Sequence, residues 1–157
     1  MNRAYPMRTF LDRGITAPSN SDLPVTTANP WFGTYACVTR TSVSGWVADT
    51  VQNITVAEAL DAYTAEAAKT SFGEDRPGHI AERFLGDLVL LDRNPLDVPE
   101  SELKDIVSEF TVCDGRIVHR GGCSAVPVCH AVMARRSSAR PVTSPYPWAA
   151  AGWCPAP

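Results

Sequence analysis

The chain has 157 residues, 45% of them hydrophobic and 20% charged, enough for one globular domain or for part of a larger one. Its net charge of −3 excludes a general electrostatic attraction to nucleic acid or to an anionic membrane, and no apolar run reaches the length of a membrane span. Five cysteines, an odd count with irregular spacing, fit free thiols in a reducing cytoplasm, and MNRAYPMRTFLDRG at the N-terminus lacks the apolar core of a secretion signal.

In chain order, Tyr5 to Arg13 reads as a short helix with Met7, Phe10 and Leu11 on one face and Gly14 at the C-terminal cap. Ile15 to Ala17 reads as a strand end, followed by a loop from Ser19 to Asn29. Asn29-Pro30 is a helix start, with Trp31, Tyr35 and Val38 at helical spacing up to about Arg40. Residues 41–54 read as a loop. Thr55 with Glu58 three positions on forms a capping box, and Val56, Leu60, Tyr63 and Ala67 make one stripe, predicting a helix from Val56 to about Thr70. Asp87 to Asp92, DLVLLD, reads as a buried strand. Ser101 to Ile106 reads as one helical turn. Asp114-Gly115 between two β-rich runs predicts a two-residue hairpin. Its simplest register sets Val112 opposite Ile117, Phe110 opposite His119 and Thr111 opposite Val118.

After Arg120 the composition changes sharply. Residues 121–157 hold no Asp, Glu or Lys, three arginines, six of the 13 prolines and three of the five cysteines. This stretch is predicted to be an irregular, disordered Pro/Ala-rich tail of charge +3, while residues 1–120 carry −6.

Four groups of residues bear on chemistry. The plain reading of Asp22, in SNSDLPVTTANP, is a loop aspartate that satisfies nearby backbone N–H groups. His79 and His119 read as loop and strand residues, since neither has a partner at metal-ligand spacing. Cys123, Cys129 and His130 lack the paired knuckles of a zinc site. Cys37 and Cys113 read as small apolar residues on a helix and a strand.

Taken together, RGITAPSNSDLPV, TVAEALDAYTAEAAKTSFGEDRPGHI, GDLVLLDRNPLDVP and DIVSEFTVCDGRIVHR resemble, in order, the C-terminal end of the metal-dependent amidohydrolase superfamily. The branch they are most similar to is that of the N-substituted formamide deformylases. The resemblance implies an α/β fold: the C-terminal part of a (β/α)8 metallo-hydrolase barrel, then a small β unit of a composite β-sandwich domain, then the irregular tail. Residues 1–75 would be the last βα elements of the barrel, 76–120 the sandwich strands with their hairpin, and 121–157 the tail. It implies hydrolysis of a non-peptide carbon–nitrogen bond in a small-molecule amide-type substrate, with zinc or another divalent metal as cofactor in the parent family. Asp22 would lie at the mouth of the last barrel strand, where such barrels place catalytic groups, as both catalytic carboxylate and metal ligand. A divalent cation lowers the pKa of bound water from roughly 15.7 to about 7, and a nearby carboxylate takes its proton.

The chain also departs from the family. It has no H-x-H pair, and its two lysines, Lys69 and Lys104, fall outside barrel-strand positions. A barrel of about 250 residues does not fit in this chain, which is therefore expected to bind no metal alone and to be inactive alone. A non-catalytic small domain that binds a protein partner, or self-associates through an open β edge, is the competing expectation.

Overall fold

The computed structural model describes residues 4–73, 75–121 and 130–132. The first helix, α1 (Met7–Asp12), is stopped by Gly14 at φ 64°. The Gly14 N–H donates to the Leu11 carbonyl at 2.9 Å and the Ile15 N–H to the Phe10 carbonyl at 2.9 Å, the double closure that a left-handed residue makes possible. The next residues, 15–17, form no strand, and the chain runs on as a loop to Asn29.

Helix α2 (Pro30–Thr39) starts as its sequence dictates. The Asn29 side chain accepts from the Trp31 N–H at 3.0 Å, and Pro30 fills a first-turn position whose N–H would have no partner. Trp31, Thr34 and Val38 are buried. Arg40, left-handed at φ 59°, ends the helix and is itself buried. Its guanidinium donates to the carbonyls of Ala4 (2.6 Å), Tyr5 (3.1 Å) and Asp49 (3.3 Å), tying the end of α2 to the N-terminal segment.

The long helix expected over 56–70 is two helices, α3 (Val56–Tyr63) and α4 (Ala65–Thr70). The capping box is present, with Thr55 Oγ1 accepting from the Glu58 N–H at 3.2 Å and Glu58 accepting from the Thr55 N–H at 2.8 Å. The break falls at Thr64 (φ −124°, ψ −88°), whose hydroxyl donates to the Leu60 carbonyl at 2.8 Å. Such back-bonding competes with the helical ladder. The Ala62 carbonyl accepts instead from the Ser19 N–H at 3.0 Å. The buried face is not the predicted stripe but the one beside it: Ala59, Ala62, Ala65 and Ala68 are buried, while Val56, Leu60, Tyr63 and Ala67 are half-buried, with Val56 and Leu60 packed at the side of the core.

Four strands make one antiparallel sheet, β1 (Leu88–Leu91), β2 (Ser108–Cys113), β3 (Arg116–Arg120) and β4 (His130–Val132), in the order β3-β2-β1-β4. A 3-10 turn, Glu100–Asp105, links β1 to β2. The β2–β3 turn has φ 49° at Asp114 and 73° at Gly115, as a two-residue primed turn requires. Val112 pairs with Ile117 as expected, but the rest of the register differs. Thr111 pairs with His119 and Phe110 with Arg120, because Val118 is an extra residue in a bulge. The bulge brings Ile117 and Arg120 onto one face, and the Arg120 guanidinium lies 5.7 Å from the Phe110 ring centre. His130 to Val132 come from the predicted tail; its remaining residues lie outside the described ones.

Sheet and helices share one core. Met7, Trp31, Val38, Ile54, Ala59 and Ala62 pack in the same cluster as Leu91, Leu103 and Ile106. Among the described residues no helix is long and apolar enough to cross a membrane.

Candidate active-site loop

The loop after α1 is held at three points. The Ser19 N–H bonds to α3 through the Ala62 carbonyl, the Thr26 hydroxyl donates to the Ser21 carbonyl, and Asn29 caps α2. Asp22 lies between them at φ 50°, a conformation that aspartate tolerates better than most residues. Its N–H donates to Asn20 Oδ1 at 2.8 Å, and its carbonyl accepts from the Val25 N–H at 2.8 Å. The turn thus uses the Asp22 backbone and leaves the carboxylate unengaged: it makes no hydrogen bond or ion pair with any described residue. The residue is exposed.

Beside this loop is a cavity of about 590 Å³, lined by Asp22 and its neighbours, by Phe32, Gly33, Cys37 and Arg40 of the α2 segment, and by Tyr63 of α3. The Cys37 sulfur is 3.9 Å from the Ser19 hydroxyl oxygen. Burial pushes the Cys37 thiol up from its ordinary range, and burial likewise pushes the Tyr63 phenol up to about 12. Both groups therefore stay protonated near neutral pH. They give the cavity neutral hydrogen-bonding walls, with the fixed charge supplied by Arg40 and the Asp22 loop.

Sequence reasoning picked out Asp22 but not these walls. Tyr63 reads as one more stripe residue and Cys37 as a small apolar one. The available signal was Gly33, a glycine inside a helix, since Tyr63 Oη packs against the space a Cβ would fill.

The other titratable candidates are scattered. His79 is exposed and packs edge to face on Phe84, with ring centres 5.6 Å apart. His119 is exposed on β3. Cys113 is the last residue of β2, on a strand as expected, and is exposed where the strand runs into the turn. Cys123 and Cys129 lie outside the described residues, and His130 is described by its backbone alone. Among the described residues no three His, Cys, Asp or Glu side chains come together as a metal site. Asp22 belongs to no such group, so the described residues by themselves do not fit a resident metal centre.

A model described as the amidohydrolase family matches residues 1–119. The chain belongs to that family. The match stops where the composition breaks, next to Arg120. Among curated amidohydrolase relatives, the N-substituted formamide deformylase of Arthrobacter pascens is 30% identical over 113 residues, 72% of this chain and 21% of that protein. The YtcJ amidohydrolase of Bacillus subtilis (strain 168) is 28% identical over 122 residues, 76% of this chain and 23% of that protein. The chain thus spans about a fifth of the length of the amidohydrolases it matches. No solved structure matches it.

Proposed function

We propose that this chain supplies the Asp22-bearing part of an amidohydrolase that cleaves a non-peptide carbon–nitrogen bond in a small amide-type substrate. The observation that carries the reading is the state of Asp22: its backbone is fixed by two hydrogen bonds while its carboxylate is unengaged beside a cavity. A carboxylate held this way is placed to take a proton from a nucleophile, and the neutral Cys37 and Tyr63 orient rather than react. Residues 1–75 are read as the last βα elements of a barrel, with the Ser19–Asn29 loop at its mouth. Metal, if the whole enzyme uses it, is held chiefly by residues outside the described ones.

The test is a chimera. Residues 1–119 replace the matching segment of the Arthrobacter deformylase, which is assayed on an N-substituted formamide. Deformylation that survives the graft and falls at least about a hundredfold on Asp22→Asn, with an unchanged melting temperature, supports the reading. Activity that is indifferent to Asp22→Asn, or full hydrolysis of the formamide by the 157-residue chain alone with or without added zinc, overturns it.

A further inference from the structure

Strand β3 ends the sheet, and its hydrogen-bonded partner is β2 alone. All five of its residues are exposed, Ile117 at 50% and Val118 at 57%. Among the described residues nothing pairs with its outer edge. An edge of this kind offers a row of unused N–H and C=O groups, ready to accept another strand. The bulge at Val118 bends the edge without covering it.

The charge on this edge is distinctive. Arg116 and Arg120 bracket Ile117 and Val118, and His119 sits beside them. Neither arginine has a carboxylate partner among the described residues; Arg8, Arg93 and Lys104 do, while Arg13, Arg76 and Arg83 also lack one. Arg120 lies over Phe110 instead. A basic edge thus stands on a stretch, residues 1–120, whose net charge is −6.

Two occupants fit badly. A second copy laid antiparallel on β3 brings four arginines onto one ladder, and like charges facing each other destabilise a strand pair. The chain's own residues 121–157 contain no Asp or Glu, so they have nothing to set against Arg116 and Arg120.

We propose that β3 is a docking edge for an extended acidic segment of a partner protein. The segment adds a strand beside β3, with main-chain hydrogen bonds supplying affinity. The bulge leaves Arg116 and Arg120 on opposite faces of β3, so two of the segment's carboxylates, about three residues apart and likewise on opposite faces of the added strand, meet Arg116 and Arg120, and apolar residues between them cover Ile117 and Val118. This goes beyond the hydrolase reading and stands or falls without it.

The test uses the full 157-residue chain and a fluorescein-labelled, end-blocked peptide with the core Glu-Val-Val-Glu. Twin peptides carry Lys for both Glu, or Pro for the first Val of the core. Anisotropy titration is expected to give a midpoint below about 1 mM for the acidic peptide, with both twins weakened about tenfold or more. Reversing the charges, Arg116→Glu with Arg120→Glu, is expected to make the Lys peptide the better ligand. If that variant melts early, amide shifts of the native chain on adding the acidic peptide decide instead. Shifts concentrated on residues 116–120 support the proposal. Shifts elsewhere, equal binding of the acidic and basic peptides, no binding at all, or a dimer formed through β3 overturns it.

Discussion

Adding one methyl group at Gly33 tests the packing of Tyr63 against α2. In the interior of a helix glycine costs about 1 kcal/mol relative to alanine, so Gly33→Ala would ordinarily stabilise. Here a Cβ would stand 1.8 Å from Tyr63 Oη and 3.0 Å from its Cζ. Comfortable contact begins near 3.5 Å, so the phenol must retreat by roughly 1.7 Å. Overpacking on that scale costs about 1–3 kcal/mol. The net expectation is a loss of about 1 kcal/mol and a melting temperature lower by roughly 3 °C. In a Tyr63→Phe background the clashing oxygen is gone, and the same substitution should recover most of its propensity gain. Thermal and urea unfolding of the four proteins, followed by circular dichroism, gives the coupling between the sites, expected at about 1–2 kcal/mol. If Gly33→Ala stabilises equally with Tyr63 and with Phe at that position, the packing argument is wrong.

Glu58 is held down to about 2, first by the paired Arg8 hydrogen bonds at 2.6 and 3.0 Å and then by its bonds to Thr55. A depressed carboxyl contributes stability above its unfolded pKa of about 4.3 and loses it as the pH falls toward 2. The two side chains are 29% and 31% exposed, and water screens the pair, so the contribution is about 1 kcal/mol. Between pH 6 and pH 2.5 the native chain should lose that much more stability than Glu58→Gln; parallel pH profiles would contradict the assignment. Leu103→Ala, at a site with no exposure between the helices and the sheet, should cost about 2–5 kcal/mol in urea unfolding, and a loss under 1 would show the core misread. Asp22→Asn should change stability by less than about 0.5 kcal/mol, since only its backbone is engaged; a larger loss would mean that the carboxylate is structural.

Features that depend on neighbours in sequence were legible beforehand. The Gly14 stop, the Asn29-Pro30 start, the Thr55/Glu58 capping box and the Asp114-Gly115 turn are local devices, and each is where its residues put it. What escaped depends on contacts between distant parts. Nothing near Thr64 signals that the Ala62 carbonyl will serve the Ser19 N–H rather than its own helix. A strand alternates identically with or without one bulged residue, so Val118 displaced the expected partners of Phe110 and Thr111 unseen. Asp22 could be chosen by family resemblance, but the cavity walls come from α2 and α3, and only their packing brings Cys37 and Tyr63 to that loop.

The shared core bears on the order in which the chain can fold during synthesis. Trp31 and Val38 leave the ribosome long before Leu91, Leu103 and Ile106, which cover them. The helix side of this core is thus made before the sheet side that completes it. Contacts between such distant residues form late, after the intervening loop has been closed. A nascent chain stalled before Leu91 would leave Trp31 and Val38 without the Leu91, Leu103 and Ile106 side chains that share their cluster.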